Sequence, residues 1–438
     1  MRKVVIIGAG FGGLEAAKCF RQQPVHVTII DRKNHHTFQP LLYQVATAGL
    51  SPADIATPVR RIFRKHENIE VLLGKVTAID TVCRRVITED FHLDYDYLIV
   101  AAGATHSYFD HPEWQKLAPG LKTIEDAVEI RRRVLLAFEL AERQAFVRGS
   151  HPPLNLVVIG AGPTGVELAG TLAEITRTAL AHDFRHIDPA RTRVILLEGG
   201  PRVLPTYPED LSRSAAEQLE QLGVEVRTRT MVTGVEPGGV RIGEDFLPAA
   251  VTLWAAGVAA SPLGRLLGAP TDKAGRVLVE PDLSLPGHCE VFVIGDLAAV
   301  TNPDGKPVPG LAPAAMQEGR AAAANILAEL AGEPRKRFVY RDKGTLATIG
   351  RAAAVADFGR IHLSGFTAWL AWLFIHILFL IGFRNRLAVM FDWALSYITY
   401  ERAARLITAT SEMPGARETE LPSFDEQDHI AVPQQKVS

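Results

Sequence analysis

Two short glycine runs share one spacing: Gly8-Ala9-Gly10-Phe11-Gly12-Gly13 and Gly160-Ala161-Gly162-Pro163-Thr164-Gly165. The spacing suits the binding of a pyrophosphate. A helix N-terminus offers unpaired N–H groups and the positive end of a dipole. In such a loop the first glycine permits a tight turn, the second lets a phosphate approach the backbone, and the third lets helix and strand pack closely. Gly8, Gly10 and Gly13 fill these places in one run, and Gly160, Gly162 and Gly165 in the other. A single run of this kind is weak evidence. Here each follows an apolar strand, Lys3–Ile7 or Leu156–Ile159, and opens a helix pattern, Leu14–Phe20 or Val166–Leu180. Each is then followed by a strand ending in an acid, Asp31 or Glu198. Two coincidental turns would not carry that context.

The elements around the loops repeat as well. Apolar strands ending in Ala-Ala-Gly close each copy, with Ala102-Gly103 in the first and Gly257 in the second. Gly8 to Gly103 spans 95 positions and Gly160 to Gly257 spans 97, so two similar domains are expected. The β-rich stretches Glu70–Thr88 and Glu225–Ile242 read as small antiparallel meanders. After the second copy, His288–Asp296 reads as a buried strand without a glycine loop of its own, which can return to the first sheet. The second domain is therefore expected to be inserted in the first. The fold class is α/β, with two Rossmann-like dinucleotide-binding domains built on parallel sheets.

One hydride couple needs a donor and an acceptor. The first copy is assigned FAD, because the chain returns to it with Gly295-Asp296, where an aspartate can hold a ribityl hydroxyl. The second is assigned NADH. Asp31 and Glu198 are expected to accept hydrogen bonds from ribose hydroxyls, and a carboxylate at Glu198 also repels a 2′-phosphate. Arg202 lies close enough in sequence to soften that preference.

Composition narrows the classes. At 438 residues the chain exceeds one hydrophobic core. With 47 Lys and Arg against 49 Asp and Glu there is no field that would draw it to nucleic acid. Cys19, Cys83 and Cys289 are scattered, so neither a dithiol relay nor a metal-ligand cluster is expected. The chain opens directly with a strand, for which the cytoplasm is the default expectation.

The sequence resembles the two-dinucleotide flavoprotein reductases of the glutathione-reductase type, and within them the type II, non-proton-pumping NADH:quinone oxidoreductases. The resemblance covers roughly residues 2–410 and is carried by Thr37–Ala46, by Val158–Gly170 and by Gly382–Leu387 with Asp392-Trp393. It implies electron flow from NADH to FAD to a membrane quinone, ubiquinone or menaquinone. It assigns Arg32, Gln44, Val76, Ala102 and Gly103 to the FAD site, and Gly257 to the cofactor region. It places Glu167 near the flavin as a proton-donating group. The other reading of Glu167 is a first-turn carboxylate stabilised by the helix dipole. A family segment with two glutamines reads here Ala312-Pro313-Ala314-Ala315-Met316-Gln317, so Gln317 is retained as a quinone-side residue and Pro313 replaces its companion. Lys343 reads as a surface lysine, with an approach to the quinone or the flavin as the alternative, and His35 and His36 as loop histidines rather than catalysts.

From Glu333 onward the chain changes character. Phe366–Phe383 is a mostly apolar run with Trp369, Trp372 and His376, followed by Arg384 and Arg386, and Leu387–Ile407 carries more aromatics. These helices are expected to bind the lipid surface as a monotopic anchor at the cytoplasmic face of the cell membrane, with a spanning helix over 366–383 or a homodimer interface as alternatives. Expected boundaries are 1–115 and 273–332 for the FAD domain, 116–272 for the NADH domain, 333–410 for the anchoring or dimerisation region and 411–438 for a polar, disordered tail. Other readings are a soluble NAD(P)H-dependent reductase of a ferredoxin or rubredoxin partner, which would lack the apolar segment. A sulfide:quinone oxidoreductase would need a cysteine pair near the flavin. A flavin-bound sensor without turnover is the non-catalytic alternative.

Overall fold

Continuous apolar runs flanked by glycine loops form parallel strands buried on both faces, as βαβ connections require. A computed structural model describes residues 1–149, 154–380, 389–391, 393 and 404–407. Its largest sheet has six strands in the order Ser284–Leu285, His288–Val293, Tyr97–Val100, Arg2–Ile7, Val25–Asp31, Ile69–Leu73. All neighbours are parallel except the short Ser284–Leu285 edge. A second, four-stranded parallel sheet runs Val224–Arg227, Arg193–Leu197, Asn155–Ile159, Val251–Trp254. It repeats four adjacent positions of the first sheet in the same relative order. The strand His288–Val293 comes after the whole second sheet in sequence, yet it pairs with Tyr97–Val100 of the first. The second unit is thus inserted in the first.

Two strand readings need correction. Ile69–Leu73 and Val224–Arg227 are edge strands of the parallel sheets rather than the first strands of the meanders. Their alternating apolar residues bury against the neighbouring strand. The meanders are Val76–Asp80, Arg85–Thr88, His92–Asp94 and Gly234–Glu236, Gly239–Ile242, Asp245–Pro248.

Helices cover the sheets through close backbone contacts. Phe11–Cys19 lies against Ala312–Leu330, where a Cβ on Gly319 would stand 2.2 Å from the Gly12 carbonyl oxygen. The second loop opens the helix Pro163–Glu174, which widens into a π turn over Ile175–Ala179. There the Thr176 and Thr178 hydroxyls bond back to the Ala173 and Glu174 carbonyls at 3.0 and 2.6 Å. The 25-residue helix Ile124–Arg148 connects the two units and is a feature that the sequence reading passed over. A capping box starts it, with Thr123 and Asp126 exchanging bonds with each other's backbone N–H.

The β-like stretch near the C-terminus forms an antiparallel sheet of Thr345–Gly350, Ala353–Asp357 and His362–Ser364. The helix Gly365–Phe379 packs Ala368 and Trp369 onto Ala354 and Ala356. Its other face is apolar too: Phe366, Leu370, Phe374 and Leu378 are 57, 45, 68 and 52% exposed. Spaced every fourth residue, they form one stripe. Fifteen residues make about 22 Å of helix, short of a bilayer core. Among the described residues no helix is long and apolar enough to cross a membrane. Arg384, Arg386 and most of Leu387–Ile407 lie outside the described residues, as does the tail from Ser411.

The C-terminal sheet is seated on the second unit through Gly170. A Cβ there would lie 1.6 Å from the Ile349 carbonyl oxygen. Gly170→Ala is expected to destabilise the chain by about 1–3 kcal/mol, the usual cost of overpacking. Urea unfolding measures this; an unchanged midpoint would contradict the close contact.

Candidate active site

The two loops satisfy the three glycine constraints separately. Gly8 has φ +100° and its Cβ would meet the Ala101 carbonyl oxygen at 2.4 Å; Gly160 has φ +97° and would meet the Ala256 Cα at 2.5 Å. Only glycine tolerates both the left-handed backbone and that approach. Cβ atoms on Gly13 and Gly165 would stand 1.9 and 1.8 Å from the carbonyl oxygens of Gly8 and Gly160. Gly10 and Gly162 differ. Their φ values, −71° and −70°, suit any residue, and an added Cβ would meet nothing within 4 Å. Space beside a helix N-terminus, with no protein atom to fill it, is the form of a phosphate cradle. The residues present therefore fit two dinucleotides.

The strand-end acids fasten these cradles. Asp31 accepts the Ala9 N–H at 2.7 Å and the Lys33 N–H at 2.8 Å. Glu198 accepts the Ala161 N–H at 2.7 Å and the Gly200 N–H at 2.7 Å. Each carboxylate oxygen takes one bond, so lone pairs remain for hydroxyl donors. Arg202 donates to the Pro205 carbonyl at 2.9 Å, within its own loop. His36 is buried and its Nδ1–H donates to the Ala9 carbonyl at 3.0 Å. Burial pushes its pKa down to about 4, the Ala9 bond opposing, so a neutral ring braces the first loop from behind.

The remaining assigned residues separate by place. Arg32 is exposed beside Asp31. Val76 is buried in the core of the first unit. Ala102 and Gly103 follow the strand Tyr97–Val100, and the Gly103 carbonyl accepts the Ser261 N–H at 3.0 Å. Asp296 stands in the turn Gly295–Leu297, with its Oδ2 3.7 Å from Lys122 Nζ. Gln44 donates to the Tyr43 hydroxyl and accepts from the Trp393 indole, each at 2.8 Å. It ties the first unit to the C-terminal region. Gln317 spends both ends of its amide on the Arg341 backbone, at 3.0 and 3.0 Å. That bridge positions the segment before Lys343, which is exposed.

A cleft of about 590 Å³, open to solvent, gathers residues from both units. Thr164, Glu167, Ala255 and Gly257 come from the second; Gln39, Leu42 and Tyr43 come from the first. Lys122 precedes the long helix, and His106 belongs to the antiparallel ribbon Ala104–His106 with Val258–Ala260 that joins the units. Of the assigned residues, Glu167 and Gly257 share this cleft, whereas Gln317 and Asp296 are not among its lining residues. Glu167 keeps part of its surface open to the cleft, while its carboxyl sinks against the C-terminal sheet. Burial raises it to about 8, a bond from the Thr348 backbone opposing.

Sequence reasoning missed Lys122, His106, Trp254 and Glu318. Trp254 donates to the Ser107 carbonyl at 2.7 Å and stacks on Tyr108 at 5.1 Å. His106 lies 3.2 Å from Asp126, and a Cβ on Gly120 would strike its ring. Glu318 is buried, and it accepts the Gly295 N–H at 2.5 Å beneath Asp296. Burial raises its carboxyl to about 7, Gly295 opposing and Asp296 adding to the rise. None of these has a spacing signal of its own; only the tertiary fold brings them to the site.

Residues 2–319 match the pyridine nucleotide-disulphide oxidoreductase family, and residues 343–400 match the NDH2 C-terminal domain. The chain is 45% identical over 422 residues to the type II NADH:quinone oxidoreductase Ndh of Mycobacterium tuberculosis, covering 93% of this chain and 90% of that protein. It is 46% identical over 433 residues to NdhA of the same organism, covering 95% and 91%. Among solved structures it resembles NDH2 from Plasmodium falciparum in complex with NADH, with TM-score 0.83, 21% identity and coverage of 93% and 100%. It also resembles the sulfide:quinone oxidoreductase of Aquifex aeolicus, with TM-score 0.71, 20% identity and coverage of 95% and 99%. At such identities these two likenesses speak for the fold alone.

The glycine geometry separates folding from binding. Gly10→Ala is expected to leave stability within about 0.5 kcal/mol while weakening flavin retention roughly tenfold or more. Gly13→Ala is expected to damage the fold itself. Flavin content and thermal unfolding of both variants read this out; full flavin retention by Gly10→Ala would contradict the cradle.

Proposed function

The chain belongs to the pyridine nucleotide-disulphide oxidoreductases and, within them, to the type II NADH:quinone oxidoreductases, and from that premise we propose that it oxidises NADH and reduces a membrane quinone through bound FAD. The balance is NADH + H⁺ + quinone → NAD⁺ + quinol, with no proton pumped. The observation that carries the reading is one cleft shared by the two units that carry the cradles, lined by Glu167 and Gly257 on one side and Tyr43 on the other.

FAD, when bound, supplies the two-electron redox chemistry. The loop of Gly8, Gly10 and Gly13 holds it, with Asp31, Arg32, Gln44, Val76, Ala102, Gly103 and Asp296 along its length. The loop of Gly160, Gly162 and Gly165, with Glu198 and Gly257, holds NADH. A carboxylate at Glu198 disfavours a 2′-phosphate. Glu167 holds a proton below about pH 8, so it is a competent donor at neutral pH. Gln317 sets the position of the segment before Lys343 on the quinone side. The domain boundaries given above follow from this division of labour.

The soluble-reductase reading does not account for the apolar stripe of Gly365–Phe379. The sulfide reading needs cysteine near the flavin, and none lines the cleft among the described residues. The stripe is best covered by lipid: the protein lies peripherally on the cytoplasmic face, where a lipid-borne quinone can reach it. A second copy of the chain is the competing occupant.

Anaerobic titration tests the reading. The purified protein is expected to be yellow, to bleach with NADH, and to regain colour with ubiquinone or menaquinone analogues. Absence of bound flavin would defeat it. Glu167→Gln is expected to leave bleaching by NADH within about twofold and to slow reoxidation by quinone at least tenfold. It should also abolish the loss of quinone reduction as pH rises through about 8. Wild-type quinone kinetics would remove Glu167 from proton delivery.

Replacing Phe366, Leu370 and Phe374 with serine is expected to reduce sedimentation with liposomes several-fold while leaving NADH-driven bleaching intact. If sedimentation is unchanged and the variant becomes monomeric, the stripe is a dimer interface instead.

A further inference from the structure

We infer that Lys122 supplies the positive charge that stabilises the reduced flavin. The inference rests on the flavoprotein reading above. Lys122 is the only lysine or arginine among the residues that line the cleft. Its ammonium lies 3.7 Å from Asp296 Oδ2, too long for a hydrogen bond. No other side-chain partner of Lys122 Nζ occurs among the described residues. The three N–H donors of this ammonium are therefore not spent on the protein. They stand between the turn expected to hold the ribityl chain and the cleft where the two units meet.

The backbone fixes this placement. Lys122 donates its N–H to Asp126 at 3.1 Å, and its carbonyl accepts from Gln39 at 3.3 Å. It sits just before the capping box of Ile124–Arg148. The stem is thus tied on one side to the connecting helix and on the other to the first unit's loop. Its side chain is 22% exposed, so the charge is only partly screened by water.

The chemistry gives this charge a task. A hydride carries two electrons and one proton from C4 of NADH to the flavin. NADH leaves as NAD⁺, and the isoalloxazine gains one negative charge unless a second proton enters with it. The carboxyls near the cleft bring no positive charge to offset it: the proton of Glu167 is assigned above to the quinone, and Asp296 stands at the other end of the ammonium's 3.7 Å contact. A nearby ammonium favours the reduced over the oxidised cofactor and raises the flavin potential.

The test is the two-electron potential of the flavin-loaded protein, measured against reference dyes, in wild type, Lys122→Met and Lys122→Arg. Flavin content of each is measured first, and any shortfall is made up with added FAD. Lys122→Met is expected to lower the equilibrium constant for flavin reduction about tenfold, equivalent to a potential about 30 mV more negative. Lys122→Arg is expected to stay near wild type. An unchanged potential in flavin-loaded Lys122→Met overturns the inference. An equal fall in Lys122→Arg also overturns it, because shape rather than charge would then matter. Failure of the wild type to hold flavin would instead defeat the underlying functional reading, so the two failures are distinguishable.

Discussion

The bond from a strand-end acid to a glycine-loop N–H underlies the whole arrangement. Asp31 holds Ala9 and Glu198 holds Ala161, each at 2.7 Å. A charge-assisted bond of this kind is stronger than a neutral one. It sets each loop against the adjacent strand and leaves the middle glycine facing open space. The two parallel sheets, with their glycine-tight helix contacts, hold these loops in place. The ribbon Ala104–His106 with Val258–Ala260 joins the two units beside the cleft that both line.

Around that cleft burial shifts several titratable groups, while His106 and Lys122 on its lining stand 3.2 and 3.7 Å from Asp126 and Asp296. Glu167 is desolvated against the C-terminal sheet and holds its proton to about pH 8. Glu318 is raised to about 7 beneath the Gly295–Leu297 turn. His36 and His376 are both lowered to about 4 by burial, so neither brings charge near the site at neutral pH. Against this background a single lysine at the cleft acquires weight. The C-terminal region contributes the wall that buries Glu167, and also the apolar stripe. Gly170 links these two roles by letting the loop helix touch the strand Thr345–Gly350.

Much of this was legible in the residues. The repeat of glycine runs, strand-end acids and Ala-Ala-Gly strand ends announced two like units, and the loopless strand ending at Asp296 announced the insertion. Those signals are local, because strand, turn and helix follow from neighbours in sequence. The meanders were misjudged at Ile69–Leu73 and Val224–Arg227, since short apolar strands look alike whether they pair parallel or antiparallel. Lys122, His106 and Glu318 left no trace, because their neighbours arrive from distant segments. Gln317 was visible as a motif residue, but its engagement with Arg341 was not.

The central claim is that nicotinamide and isoalloxazine meet in the cleft shared by the two units. A crystal structure of the FAD-loaded protein with NADH measures this directly. The account predicts nicotinamide C4 about 3–3.5 Å from the flavin ring, the distance of a reactive pair, with Glu167 and Gly257 at its edge. A nicotinamide bound outside this cleft, or held far from the flavin, would contradict it.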